Sequence, residues 1–311
     1  LGLAAFCAGL FFFFWALRSF GFNDVLVVIS NAGPAAVLTL FFYPFMCLWD
    51  VAAWRILFPI ENERRVHFFE LFWIRLAGEA LNNVTPILDV GGEPLKAHLV
   101  VKRFRVTFVS ASASVVVART SIMISEAIFL LFGTVFSFHI LKIPAPQRLA
   151  LSGALLFICL VFTGFLVLQR RGAFRRFNPE IGNFYAQHGN RFWSAVFFNG
   201  MGWLSGSVET WFFCRLLGLD IPLFDCIVLE SFLQLVRTGS FFIPMSLGVQ
   251  EGGLAFFVSA MGFSPVSGLA LSLLKRARQI LWIGIGFLVW GIYHYQEAKK
   301  HEVPVRIGRA H

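Results

Sequence analysis

Charge is what this chain has least of. Asp, Glu, Lys and Arg together make up 14% of its 311 residues, against roughly a quarter in an ordinary soluble domain, and that scarcity excludes a water-soluble globular protein. Cysteine is sparse too. Cys7, Cys47, Cys159, Cys214 and Cys226 are scattered in or beside apolar stretches without CxxC spacing, so there is no disulfide framework and they read as buried thiols. The histidines (His67, His98, His139, His188, His294, His301, His311) show no HExxH or paired spacing, and no metal site is expected. With no GxSxG elbow and no Walker loop, serine hydrolysis and ATP-driven transport have nothing to rest on. The expectation is a protein that is not an enzyme and holds no metal or cofactor.

Apolar residues are in excess: 58% hydrophobic, 17% aromatic, with mean hydropathy +0.74. A bilayer core of about 30 Å needs about 20 apolar residues per helix, so the chain can furnish about six to ten crossings. Long apolar runs fall at 3–17, 35–58, 106–137, 150–168, 193–217 and 268–295. The first lacks a small-residue cleavage site and is expected to remain as a helix. Two further regions, 68–104 and 225–262, are apolar but interrupted by Gly, Pro and charged residues. Breaks and charges at membrane depth survive only inside protein or beside a watery cavity. The net charge of +9 is then a matter of topology and lipid headgroups, not of nucleic acid. Arg170, Arg171, Phe174, Arg175, Arg176 and Phe177 interleave basic and aromatic character, which suits an interface with anionic lipid.

A shift of 158 residues lines up Pro86 with Pro244, Glu93 with Glu251, Ala97 with Ala255, Ser114 with Ser272, Phe129 with Phe287 and Gly133 with Gly291, without a gap. In each half a Pro is followed seven residues later by a Glu at the break of the interrupted region. The chain therefore divides into a first transmembrane repeat, 1–149, and a second, 150–311, which ends in a basic tail. Each half reads as span, span, interrupted hairpin, span, an all-α polytopic membrane protein. A hairpin, re-entrant or fully crossing, returns the chain to its starting side, so each half has an odd number of crossings and the second repeat is expected to be inverted. With a cytoplasmic C-terminus, the dense basic segments share one side: 60–105 with Arg64, Arg65, Lys96, Lys102, Arg103 and Arg105, the 169–192 loop, and the tail with Lys299, Lys300, Arg306 and Arg309. That is the positive-inside pattern.

The first interrupted region carries Arg75, Glu79, Asn82, Asn83, Asp89, Glu93 and Lys96 around Pro86, Gly91 and Gly92. Pro86 and the glycines end one helix, and Pro94 suits the first turn of the next. The second carries Glu230, Gln234, Arg237, Gln250 and Glu251 around Pro244, Gly248 and Gly252. Broken helix ends attract anionic groups, and discontinuous helices form the substrate site of inverted-repeat transporters. Two readings stand side by side here: glycines for close packing and glutamates as loop or N-cap carboxylates, or a substrate site assembled from both halves. Charges also lie inside the final span of each half, Arg119 in one and Lys275, Arg276 and Arg278 in the other. A charge at a helix centre costs roughly 2.5–3.5 kcal/mol, so partners are expected: Glu93 with Arg119, and Glu251 with Arg278. Such pairs either lock the hairpins or give up their basic groups to a lipid phosphate. Glu126, Asp50 and Glu209 are further interior candidates, and Gly202 and Gly206 form a GxxxG pattern expected to pack within the chain.

At Gly91-Gly92-Glu93-Pro94-Leu95-Lys96-Ala97 and at Ile243-Pro244 through Gly248-Val249-Gln250-Glu251-Gly252, the sequence resembles the lysylphosphatidylglycerol synthase transmembrane-region family. This flippase-like domain is found in bacterial multiple-peptide-resistance proteins and as stand-alone membrane proteins, some of them associated with hopanoid biosynthesis. The resemblance implies a multi-pass protein of the bacterial cytoplasmic membrane that moves a lipid, or something lipid-linked, between leaflets. The substrates it implies are anionic phospholipid, polyprenyl-linked sugar or hopanoid. Aminoacyl transfer, which other members perform with a further soluble domain, is not carried over. The resemblance assigns Glu93, Lys96, Pro244, Gly248, Glu251 and Arg278 to the lining of a lipid-accessible cavity. The leading expectation is a lipid translocase. Its competitors are an ion-coupled carrier of a small anion and a non-transporting scaffold for lipid-synthesising enzymes.

Overall fold

In the computed structural model the described residues are Val27, Gly33, Pro34, Val37, 40–58, 65–85, 91–140, Gly153, Gly164, 188–240 and 243–302. Among them the chain forms eight α-helices, one short 3-10 turn and no strand. These are α1 (Tyr43–Arg55), α2 (Phe68–Val84), α3 (Glu93–Phe104), α4 (Phe108–Ile140), α5 (Gly189–Leu216), α6 (Leu223–Gly239), the turn Pro244–Ser246, α7 (Val249–Ala260) and α8 (Pro265–Glu302). The all-helical expectation stands. Four of the six apolar runs fall on α1, α4, α5 and α8, while 3–17, 150–168 apart from Gly153 and Gly164, and Pro86 lie outside the described residues.

Each interrupted region is a pair of helices with a break between them. Helix α2 stops where the Thr85 hydroxyl donates back to the Leu81 carbonyl at 2.9 Å and a proline follows. Helix α3 opens with Pro94 in its first turn, where the missing N–H has no cost, and it closes on Lys102 and Arg103, cations at the negative end of the dipole. The α6–α7 connection is tighter: Met245, Ser246 and Gly248 have φ of 57°, 50° and 78°, so two residues with side chains sit in the left-handed region that glycine favours. Gly252, expected at the break, is instead inside the first turn of α7, its N–H bonded to the Gly248 carbonyl at 3.0 Å. Gly248 alone supplies the positive φ that starts the helix.

Polarity is distributed as in a membrane protein. Glu209, Glu251, Lys275 and Arg278 are buried, while Phe69, Phe108, Phe197 and Leu288 are each more than 60% exposed, the reverse of a water-soluble fold. By length and composition, α4 is the one helix among the described residues that qualifies unaided as a span, over Phe108–Ser137. The others carry charges or are short, and of those charges Glu209, Glu230, Glu251, Lys96, Lys275, Arg276 and Arg278 are buried, whereas Lys102, Arg215 and Lys299, near helix ends, are exposed.

The helices pack in matching sets. Helix α1 lies on α5, where a side chain at Gly202 would come 3.1 Å from Asp50 Oδ1 and one at Gly206 3.0 Å from Met46 Cε. The GxxxG pattern thus seats α1 within the same chain. Helix α2 runs along α8 and α6 along α4; α3 packs on α4 and α7 on α8. Moved on by 158 residues, the ends of α2 and α3 fall within three residues of those of α6 and α7.

The two hairpins approach α8 from opposite ends. At the outer end of α2 and α3, Arg103 lies over the Tyr293 ring at 3.9 Å and bonds Gln296 at 2.6 Å, and His98 stands 3.9 Å from Glu297. At the outer end of α6 and α7, Cys226 and Val258 share an apolar cluster with Leu271 and Leu274 near the start of α8. The inner ends of both hairpins meet at mid-α8: Gln279 donates to Asn83 at 2.6 Å, and Arg276 to the Met245 carbonyl at 2.6 Å.

Candidate functional site

Two clusters of buried charge occupy the middle of the molecule, one per half. The first is assembled from α1, α2, α3 and α4. Lys96, on α3, donates to Glu79 of α2 at 2.8 Å and to Glu93, one turn before it on its own helix, at 3.0 Å. Arg75 pairs with Asp50 of α1 and donates to Cys47 Sγ at 3.0 Å. Asn82 ties the break together, accepting the Gly92 N–H at 2.6 Å and donating to Glu93 at 3.3 Å. Glycine is required at 78 and 92 for approach rather than for backbone freedom. A side chain at Gly78 would collide with the Lys96 stem, and one at Gly92 with the Gly78 carbonyl.

These side chains surround a cavity of about 20 Å³ walled by Asp50, Arg75, Glu79, Glu93, Lys96, Arg119 and Asn199, room for roughly one water molecule. Arg119 reaches it from α4 and makes no hydrogen bond or ion pair among the described residues. The expected pair Glu93–Arg119 is therefore corrected: Glu93 is held by Lys96 and Asn82, and the arginine is left with its donors free, its charge acting on Glu79 from across the cavity. With three acids and three bases, the cluster is formally neutral.

The second cluster is built from α5, α6, α7 and α8, and its pairs are tighter. Lys275 bridges Glu230 at 2.6 Å and Thr210 at 2.7 Å, and Thr210 donates to the same carboxylate at 2.6 Å. Arg276 grips Glu251 through Nε at 2.6 Å and Nη2 at 3.3 Å, while also donating to the Met245 and Ser246 carbonyls at 2.6 and 3.2 Å. Glu251 caps α7, accepting the Gly248 N–H at 2.7 Å. One guanidinium therefore holds the strained turn and the helix start together, and charge-assisted bonds of this kind are the strong ones. The expected pair Glu251–Arg278 is corrected as well: Arg278 pairs with Glu209 and lies 5.3 Å from the Tyr43 ring centre. Residues two apart on a helix point about 200° away from each other, so Arg276 faces α7 and Arg278 faces α5 and α1. A shift of 158 residues places Arg119 between the two and cannot choose.

Of the expected site residues, Glu93, Lys96, Asn82 and Arg119 come together at the first cluster. Asn83 is occupied with Gln279 and with the Glu79 carbonyl. Arg237 and Gln250 meet at 3.2 Å beside the second cluster, and Glu251 belongs to the lock on α7. Glu126 lies apart, bonded to Gln234 and Thr238 of α6 at 2.9 and 2.6 Å. Thr210 and the role of Arg276 were not legible beforehand. A signal for Glu79 was present, because Arg75, Glu79, Asn82 and Asn83 recur on one face of an otherwise apolar helix. Ser272, Lys275, Arg276 and Gln279 do the same on α8. Among the described residues no group of His, Cys, Asp and Glu is arranged to hold a metal ion.

A family model described as the lysylphosphatidylglycerol synthase TM region matches residues 1–286. No curated protein and no solved structure matches the chain.

Proposed function

We propose, from the premise that the chain belongs to the lysylphosphatidylglycerol synthase TM-region family, a membrane family with a lipid-related function, that it is a lipid translocase rather than an enzyme. The observation that carries this reading is the meeting of both hairpins at Arg276 and Gln279, beside a charge-lined cavity in which Arg119 makes no hydrogen bond or ion pair among the described residues. Their approach from opposite ends of α8 supports an inverted repeat. The 12-residue arms α3 and α7 are about 18 Å long, too short for a hydrocarbon core of about 30 Å, which supports re-entrant arms. Contacts of the outer end of the first hairpin with the C-terminal part of α8 bring two basic segments to one side, in keeping with a cytoplasmic C-terminus in a bacterial inner membrane.

In this reading the headgroup enters between α2, α3 and α4, its phosphate taken by Arg119 and by Lys96 as Glu93 gives way, while the tails stay in lipid. The space between the arms admits water and not a headgroup, so the arrangement is the closed one and the arms must part for passage. Anionic phospholipid, polyprenyl-linked sugar and hopanoid are the candidate lipids. The smallness of the cavity favours a second reading, a carrier of a small anion through the same arginine.

Transbilayer movement of headgroup-labelled lipids in proteoliposomes tests this directly. Arg119→Gln is the informative variant because it removes no hydrogen bond or ion pair made among the described residues. Lipid movement lost in Arg119→Gln supports the translocase. Movement of an inorganic anion alone would replace it with the carrier, and movement of neither, in folded protein, with a scaffold.

A further inference from the structure

The second cluster has a charge left over that nothing so far accounts for. Glu209, Glu230 and Glu251 are each engaged, by Arg278, Lys275 and Arg276, which leaves Arg237 as a fourth cation that makes no ion pair among the described residues and feels the Glu230 and Glu209 charges only from beyond contact distance. Its one hydrogen bond among the described residues is from Nε to Gln250 Oε1 at 3.2 Å. That bond orients the Gln250 amide so that its Nε2 lies near the guanidinium, and this Nε2 is buried without a partner in a residue only 1% exposed. Glu126 of α4 does not fill the gap: its Oε1 accepts from Gln234 and Thr238, and it forms no ion pair with Arg237 among the described residues. Arg237 is half-buried in the last turn of α6, beside exposed Thr238 and Gly239, so its free Nη groups are not sealed in. Gln250 stands in the first turn of α7, at the positive end of that helix. Unused donors therefore converge at the α6–α7 junction, where a cation that makes no direct ion pair is costly in a low dielectric.

We propose that Arg237 and Gln250 form an anion site that takes a phosphate-type oxyanion, either a lipid headgroup phosphate or a free anion. The guanidinium supplies a two-pronged donor and the amide a third. This site is separate from the cavity at Arg119, and occupancy does not require transport. A protein that binds here and moves no lipid fails the translocase reading and leaves this one intact.

The test is calorimetric titration of the full chain in uncharged detergent, in an Arg119→Gln background that silences the first cavity. The two probes are inorganic phosphate and a short-chain phosphatidylglycerol. One saturable site is expected, weakened about tenfold or more by Arg237→Gln. Binding of phosphate identifies a free-anion site, and binding of the phospholipid alone a headgroup site. Gln250→Glu supplies the missing negative charge from within, so it should abolish binding while the thermal midpoint holds or rises. Absence of a saturable site, binding indifferent to both variants, or a lowered midpoint in Gln250→Glu would overturn the proposal.

Discussion

The two halves of this molecule solve the same problem differently. In the first cluster Lys96 is held by two carboxylates and Arg75 by one carboxylate and a thiol, none of these contacts reaches the backbone of the hairpin break, a small cavity opens between them, and Arg119 makes no hydrogen bond or ion pair among the described residues. In the second, Arg276 makes two bonds to Glu251 and two to backbone carbonyls of the turn, and Lys275 is fixed by two oxygens. Buried pairs are costly to desolvate and strongly destabilising to half-break. The second half therefore ties its hairpin to α8 through backbone as well as side chains, while the first leaves a small space and the unused donors of Arg119. Helix pairs of similar length and placement thus hold a backbone-anchored pair in one half and a cavity beside Arg119 in the other.

This contrast can be broken most severely at Arg276. Arg276→Ala should strand Glu251 and release the Met245–Ser246 turn, costing about 3–5 kcal/mol, seen as a large fall in the thermal midpoint in detergent. Lys275→Met should cost a similar amount, and Glu230→Leu added to it should restore most of the loss, because an apolar pair replaces an ion pair nearly neutrally. A double mutant no more stable than Lys275→Met alone would mean that Glu230 has another partner. Gly92→Ala should pry α3 from α2 against the Gly78 carbonyl, at about 1–3 kcal/mol, and make a cysteine at Asn82 more reactive to thiol reagents. The smallest expected effect on stability sharpens the comparison most. Arg119→Gln should change the midpoint by no more than a surface substitution, within about 0.5 kcal/mol, while removing transport. A midpoint that dropped as far as that of Arg276→Ala would make Arg119 part of a second lock.

Much of this architecture was legible in the sequence because its signals are local. Apolar runs, Pro94 in a first turn and the Pro–Glu spacing mark helices and breaks without knowledge of neighbours. The pairing of charges was not, because it depends on which way a side chain turns. Arg276 and Arg278 differ by two positions in the sequence but by about 200° around the helix. Glu93 was misassigned for a related reason: Lys96, one turn along its own helix, was closer than any partner on another span. The left-handed Met245 and Ser246 left no mark at all, since nothing in Pro-Met-Ser announces positive φ, and only the Arg276 guanidinium holding their carbonyls explains how such strain persists.

Both hairpins take their bonds from one turn of α8, between Arg276 and Gln279, themselves joined at 3.0 Å. Mechanically that turn is a shared fulcrum. A slide or roll of α8 that pulls Gln279 from Asn83 also loads Arg276 against Met245 and Ser246, so the inner ends cannot move independently. The two hairpins are thereby geared together through less than a turn and a half of a single helix.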